Sequence, residues 1–215
     1  MSTPSSFRIA VLSITVLVGA CTYGEAEERA SFQNFRVKPK SNVVATIVKY
    51  EKYRPATGLS TFPDGGVSRM LAQRADIYVL DVSARTILRR VELPGPAQHR
   101  LSFSPWVLGW SGDDLFLQIT GCPGRDGSEC WGPLVQKSIF RLSPNGQLSA
   151  VPAAPLMGSG AYESDESYLD ASFYFEDARH PNYATGYVKV ARQRGGPYVP
   201  VFRWSESRLT PITPQ

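Results

Sequence analysis

Proline and glycine punctuate this chain too often for long helices, with 17 prolines and 18 glycines in 215 residues. Between them lie short runs rich in β-branched and aromatic residues, which suit a pleated, half-buried surface. Residues 43–50, 77–82, 115–120, 187–191 and 198–204 are such runs. Apolar patterns of helical period are missing, apart from a short helical turn predicted near residues 67–73. The chain therefore reads as all-β.

One five-residue shape recurs. Ile77-Tyr78-Val79-Leu80-Asp81, Ile139-Phe140-Arg141-Leu142-Ser143 and Val201-Phe202-Arg203-Trp204-Ser205 each run β-branched, aromatic, variable, large apolar, small polar. The copies start 62 residues apart, twice. A polar turn follows each one: Ser83-Ala84-Arg85, Pro144-Asn145-Gly146 and Glu206-Ser207. A second short strand then begins at Thr86, Gln147 and Arg208. This reads as one hairpin repeated three times. An acidic phrase before it also recurs, Gly112-Asp113-Asp114-Leu115 resembling Ser164-Asp165-Glu166-Ser167, with Ser41-Asn42-Val43-Val44 as the first copy. The strand order and turn chemistry resemble β-propeller blades of the WD-repeat-like kind. The His and Trp-Asp signatures of that family are absent, and three units cannot close a ring that takes about 4–8 blades. The expected fold is all-β, with antiparallel blade-like sheets resembling a partial β-propeller. A β-sandwich built from the same hairpins is the alternative.

The amino terminus carries an address. Arg8 precedes an apolar core over residues 9–18, followed by Gly19, Ala20 and Cys21. A basic start, an apolar core of about 7–15 residues and small residues at a cut site make a secretory signal. The core is too short to span a bilayer, which takes about 20 apolar residues. Cys21 in this setting resembles the lipid-bearing cysteine of bacterial lipoproteins. The resemblance implies cleavage after residue 20, acyl chains on Cys21 and a membrane partner reached through that anchor. Two or three chains hold firmly where one holds marginally. Thr22, where an Asp tends to retain inner-membrane members of that family, implies the outer membrane facing the periplasm. The domain reading is a lipoprotein signal peptide over 1–20, a lipidated terminus and tether over 21–40, and an all-β domain over 41–215. Within the tether, Phe32, Phe35 and Val37 are apolar enough to dock as an edge strand instead.

The formal charge of +4 drops by one when Arg8 leaves, and the remaining charges are mixed along the chain. That is a solvated surface without the basic patch of a nucleic-acid binder. Outside the inner membrane, disulfides persist. Turn-forming residues separate Cys122 from Cys130, so a disulfide that staples a surface loop is expected there. A half zinc site and a reactive thiol pair are the alternatives.

Candidate chemistry is sparse. His99 and His180 both lie in turn-rich segments, and no Gly-x-Ser-x-Gly elbow is present. Carboxylates gather at Glu163, Asp165, Glu166 and Asp170, with Glu176 and Asp177 beyond. Such a group could take calcium or serve glycoside hydrolysis, and it equally suits solvated turns. Trp131 beside Cys130 is a candidate surface anchor, whereas Trp106 and Trp110 read as alternating inward with Leu108. Tyr183, Tyr187 and Tyr198 fit either a core or a surface. The sequence thus points to a non-catalytic, membrane-anchored lipoprotein with no cofactor or metal. It would bind protein or cell-wall glycan through Trp131 and the loop carrying Asp165 and Glu166. The alternatives are a carbohydrate-active enzyme using the acidic loop, and a structural subunit of an envelope complex.

Overall fold

The computed structural model describes residues 22–23, 27–54, 56–57, 69–95, 101–123, 136–157, 168–176 and 185–213. Among them every regular element is a strand, and none is a helix. β1 (Thr22–Tyr23) pairs with β5 (Ala56–Thr57) as a small ribbon. The first sheet holds β2 (Glu27–Phe32), β3 (Arg36–Val37), β4 (Val43–Arg54), β6 (Arg69–Asp81) and β7 (Thr86–Glu92). Its order is β2-β4-β6-β7, and β3 also pairs with β4. The second sheet is a meander of β8 (Leu101–Ser111), β9 (Asp114–Pro123), β10 (Gln136–Leu142) and β11 (Leu148–Val151). The third is a meander of β12 (Asp170–Phe175), β13 (Gly186–Ala191), β14 (Val199–Ser205) and β15 (Arg208–Pro211). All pairings are antiparallel.

The three copies of the five-residue shape fall on equivalent elements. They end β6, β10 and β14, the third strand of each sheet, and their partners are β7, β11 and β15. The acidic phrase is less faithful. Its first two copies lead into β4 and β9, second strands of their sheets, whereas the third precedes β12, a first strand. Acidic turns satisfy backbone donors before any strand, so that phrase marks strand entry and not a place in the sheet.

The first sheet is the middle layer. On one face Val44, Val48, Tyr50, Tyr78 and Leu80 pack against Val188, Val190, Phe202 and Trp204 of the third sheet. On the other, Ala45, Ile47, Ile77 and Val79 pack against Val107, Trp110, Leu115 and Leu117 of the second. Alternation along β4 and β6 therefore feeds two cores, which is why each has a near-continuous apolar run, residues 43–48 and 77–80, instead of strict alternation. Val44, Ile47, Val48, Ile77 and Leu80 are all 0% exposed, each contributing about 1.5–3 kcal/mol.

The two flanking sheets run in opposite senses. Asn34, Arg36 and Lys38 contact Val107, Trp110 and Asp113 in that order, so β3 and β8 lie parallel. Units related by rotation about an axis along their strands keep this sense, and the first two sheets are blade-like in that respect. In the third sheet, Arg192 just after β13 bonds Asn42 just before β4, while Trp204 reaches Tyr50 far along β4. The third sheet therefore covers the first with its equivalent strands reversed, as one layer of a sandwich covers another.

Three expectations change. Residues 69–73 belong to β6 and not to a helical turn, because their backbone pairs with β4 out to Arg54. Residues 27–32 and 36–37, expected within the tether, are strands of the first sheet, the edge-strand alternative. Trp106 and Trp110 do not share a face. A bulge between Val107 and Gly109 inserts one residue opposite β9, which flips the strand's parity. Trp110 is buried at 5%, and Trp106 stands 43% exposed.

Candidate functional site

The alternation that buries one side of the third sheet exposes the other. Ala171, Val188, Val190, Phe202 and Trp204 face the core. Their neighbours Asp170, Ser172, Tyr174, Tyr187, Lys189 and Arg203 therefore face outward. Register lines Tyr174, Tyr187, Arg203 and Thr210 up in one row across four strands. Tyr198, in the connection before β14, closes the end of this face against Tyr174, their ring centroids 5.5 Å apart.

Each exposed ring is held by a charged neighbour. Tyr198 donates its hydroxyl to Asp170 Oδ2. Tyr187 donates to Glu176 Oε1 at 3.0 Å, and Arg203 Nη2 lies 3.5 Å from the same oxygen. Lys189 Nζ sits 4.8 Å from the centre of the Tyr174 ring. The electrostatics follow. The hydrogen bond to Asp170 raises the Tyr198 phenol above its ordinary value, with desolvation adding to it. The bond to Glu176 does the same for Tyr187, and in return the Tyr187 hydroxyl holds the Glu176 carboxyl low. These tyrosines stay neutral at physiological pH and keep both a π-face and a hydroxyl. Tyr174 and Tyr198 are each 37% exposed, so a ligand can reach them. The array can stack on an apolar ligand face and exchange hydrogen bonds around its rim.

A second polar cluster is saturated by its own partners. Asp76 is 2% exposed, and its Oδ2 accepts from Arg90 Nε at 2.8 Å, with Arg90 Nη2 at 2.6 Å and Arg74 Nη1 at 3.3 Å. Beside it the Tyr50 and Tyr78 hydroxyls meet at 3.4 Å, and Arg74 lies 3.7 Å from the centre of the Tyr50 ring. Burial, first, and the Tyr78 hydrogen bond push the Tyr50 phenol up. A buried carboxylate so paired ties strands together and leaves little free for a ligand.

The residues singled out from the sequence lie mostly elsewhere. Cys21, Cys130, Trp131, Asp165, Glu166, His99 and His180 fall outside the described residues. Cys122 is in β9, its backbone opposite Ser102 of β8. Of the carboxylates grouped with Asp165 and Glu166 in the sequence, Asp170 lies in the described β12. Tyr187, Tyr198, Asp170 and Glu176 were legible as candidates, and the structure brings them together. Tyr174, Lys189 and Arg203 were not. In Ser172-Phe173-Tyr174-Phe175 aromatics occupy both faces, which hides the alternation. Among the described residues no three His, Cys, Asp or Glu side chains converge on a metal-sized site. No family model matches the chain, and no curated protein or solved structure matches it.

Proposed function

We propose that this chain is a lipid-anchored protein of the bacterial cell envelope, held through Cys21. Its β-domain acts as a non-catalytic binding module for cell-wall glycan. The observation that carries the binding reading is the tyrosine face of the third sheet. Three tyrosines there, Tyr174 and Tyr198 exposed and Tyr187 half-buried, are held by Asp170, Glu176, Lys189 and Arg203. Sugars present apolar ring faces bordered by hydroxyls, and tyrosines bordered by carboxylates and cations complement both features. Side chains held before binding lose less entropy on capture. The anchor reading rests on the run from Arg8 to Cys21, and Thr22 favours the outer membrane with the domain in the periplasm.

Co-sedimentation of the full chain with purified cell-wall sacculi tests this. Replacing Tyr174 and Tyr198 by Ala together should weaken capture at least tenfold, each stacked ring contributing about 1–2 kcal/mol. Capture unchanged by that double replacement would remove this face from the function. Crosslinking of a protein in place of glycan, still lost with the two rings, would keep the face and change the partner. Intact-mass analysis of the native protein checks the anchor separately, through cleavage before Cys21 and added acyl mass.

A further inference from the structure

The seam between the first and third sheets opens into a groove of about 370 Å³ where the β6–β7 turn meets the β13–β14 connection. Its floor is apolar: Val82, Val190 and Val201 line it at 1%, 2% and 3% exposure. Val199 forms an exposed wall at 47%. Two guanidinium groups, Arg85 and Arg192, stand among the lining residues, and no acidic side chain does. The nearest carboxylate along the chain, Asp81, is engaged with its own turn, accepting from Ser83 N at 2.9 Å and Ala84 N at 2.8 Å.

Both arginines are positioned from behind. Arg85 Nη1 donates to the Ile212 carbonyl at 2.5 Å, and Arg192 Nη1 donates to Asn42 Oδ1 at 3.0 Å. A guanidinium carries five donors in a fixed fork, so one such bond orients it and leaves others to give. Neither of these partners is an anion, so the two positive charges remain uncompensated by them. An apolar floor with two cationic side chains and no carboxylate in its lining complements one ligand chemistry.

We propose that this groove binds small anionic amphiphiles. A carboxylate or phosphate head lies between Arg85 and Arg192, and a short apolar chain covers the valine floor. No tyrosine of the outer face lines this groove, although Pro197 and Val199, which do, flank Tyr198 in the chain.

The test is calorimetric titration of the full chain in phosphatidylcholine nanodiscs, with empty nanodiscs as the blank. Hexanoate and hexyl phosphate are the probes, and hexanol is the neutral comparison. Saturable binding of at least one anion is expected, at least about tenfold tighter than hexanol. A preference between the two anions assigns the head group. Replacing Arg85 and Arg192 together by Gln should weaken binding at least about tenfold. Val199→Asp, an exposed change that puts a negative charge on the wall, should abolish it with an unchanged melting curve. No saturable heat from either anion, equal affinity for hexanol, or full binding by a folded Val199→Asp variant would each overturn the proposal.

Discussion

Asn34 joins two sheets with one side chain. It accepts from Val107 N at 3.0 Å and donates to Val107 O at 2.6 Å, copying the pairing of a missing neighbouring strand. Val107 is 0% exposed, so both backbone groups depend on that amide. Asn34→Ala should cost about 2 kcal/mol, read as a lower urea midpoint at constant slope, because two buried polar groups lose their partner. Asn34→Asp should be no milder, since a carboxylate cannot donate to the carbonyl. A midpoint unmoved by either change would mean that water replaces the amide. Tyr198 makes a pH-dependent contribution. Its folded pKa is raised, so the stabilisation is full below the ordinary tyrosine value of about 10 and is lost as pH rises through the folded value. The stability gap between the native chain and Tyr198→Phe should therefore be flat from pH 7 to 9 and shrink above about pH 10. A gap that stays constant up to strong alkali would show that Asp170 does not accept from this phenol. Glu176 works on the acid side: its depressed pKa makes its pairing with Tyr187 fade as pH falls below the usual carboxylate range.

At the scale of elements, β12 and β13 meet where a glycine is obligatory. A Cβ on Gly186 would lie 2.3 Å from Phe173 Cζ and 2.6 Å from the Tyr174 carbonyl. The ring can turn, but the backbone oxygen cannot leave without breaking the pairing of Phe175 with Gly186. Gly186→Ala should cost about 3 kcal/mol in thermal or urea unfolding. Gly95→Ala, with nothing within 4 Å of the added carbon, should be near neutral. Equal effects from the two would refute the packing argument. The hairpins themselves were legible, because β-branched alternation ending in Asp81, Ser143 or Ser205 and a polar turn specifies a hairpin locally. The bulge after Val107 was not legible. It depends on Gly109 adopting φ +152° beneath Met157, a tertiary contact that the local pattern does not encode. The same holds for the site: Tyr198 and Asp170 lie 28 residues apart, and only the register of β12 with β13 and β14 makes them neighbours.

For the whole molecule, the consequence of the layered order is that one sheet supports two cores. The chain enters the first sheet at Glu27, opposite Tyr53, whereas the Arg85–Arg192 groove sits beyond Asp81, opposite Val43. The run of β4 from Tyr53 to Val43 separates those ends by about 33 Å at ~3.3 Å per residue. The anchor proposed at Cys21 would therefore meet the middle sheet at one end, and the groove opens at the other. The same layering sets the order of local opening. β4 and β6 pair along 12 positions and lose both cores if they separate, so they open only with the entire domain. β11 and β15, four residues each at the outer edges, have one neighbour apiece and open at lower cost. Native-state hydrogen exchange should therefore find the amides of Val44, Ile47, Val48, Ile77 and Leu80 exchanging last, at the global unfolding free energy. Those of β11 and β15 should exchange several kcal/mol more easily. If the third sheet instead exchanged as one block well before the first two, the Trp204–Tyr50 core would be a docked layer and not part of a single cooperative unit. Leu80→Ala and Leu117→Ala distinguish the same two cases from the side chains. They sit in different cores on opposite faces of the middle sheet. In a single unit their costs should add to within about 0.5 kcal/mol in one transition, whereas a docked layer would give Leu80→Ala a separate early transition.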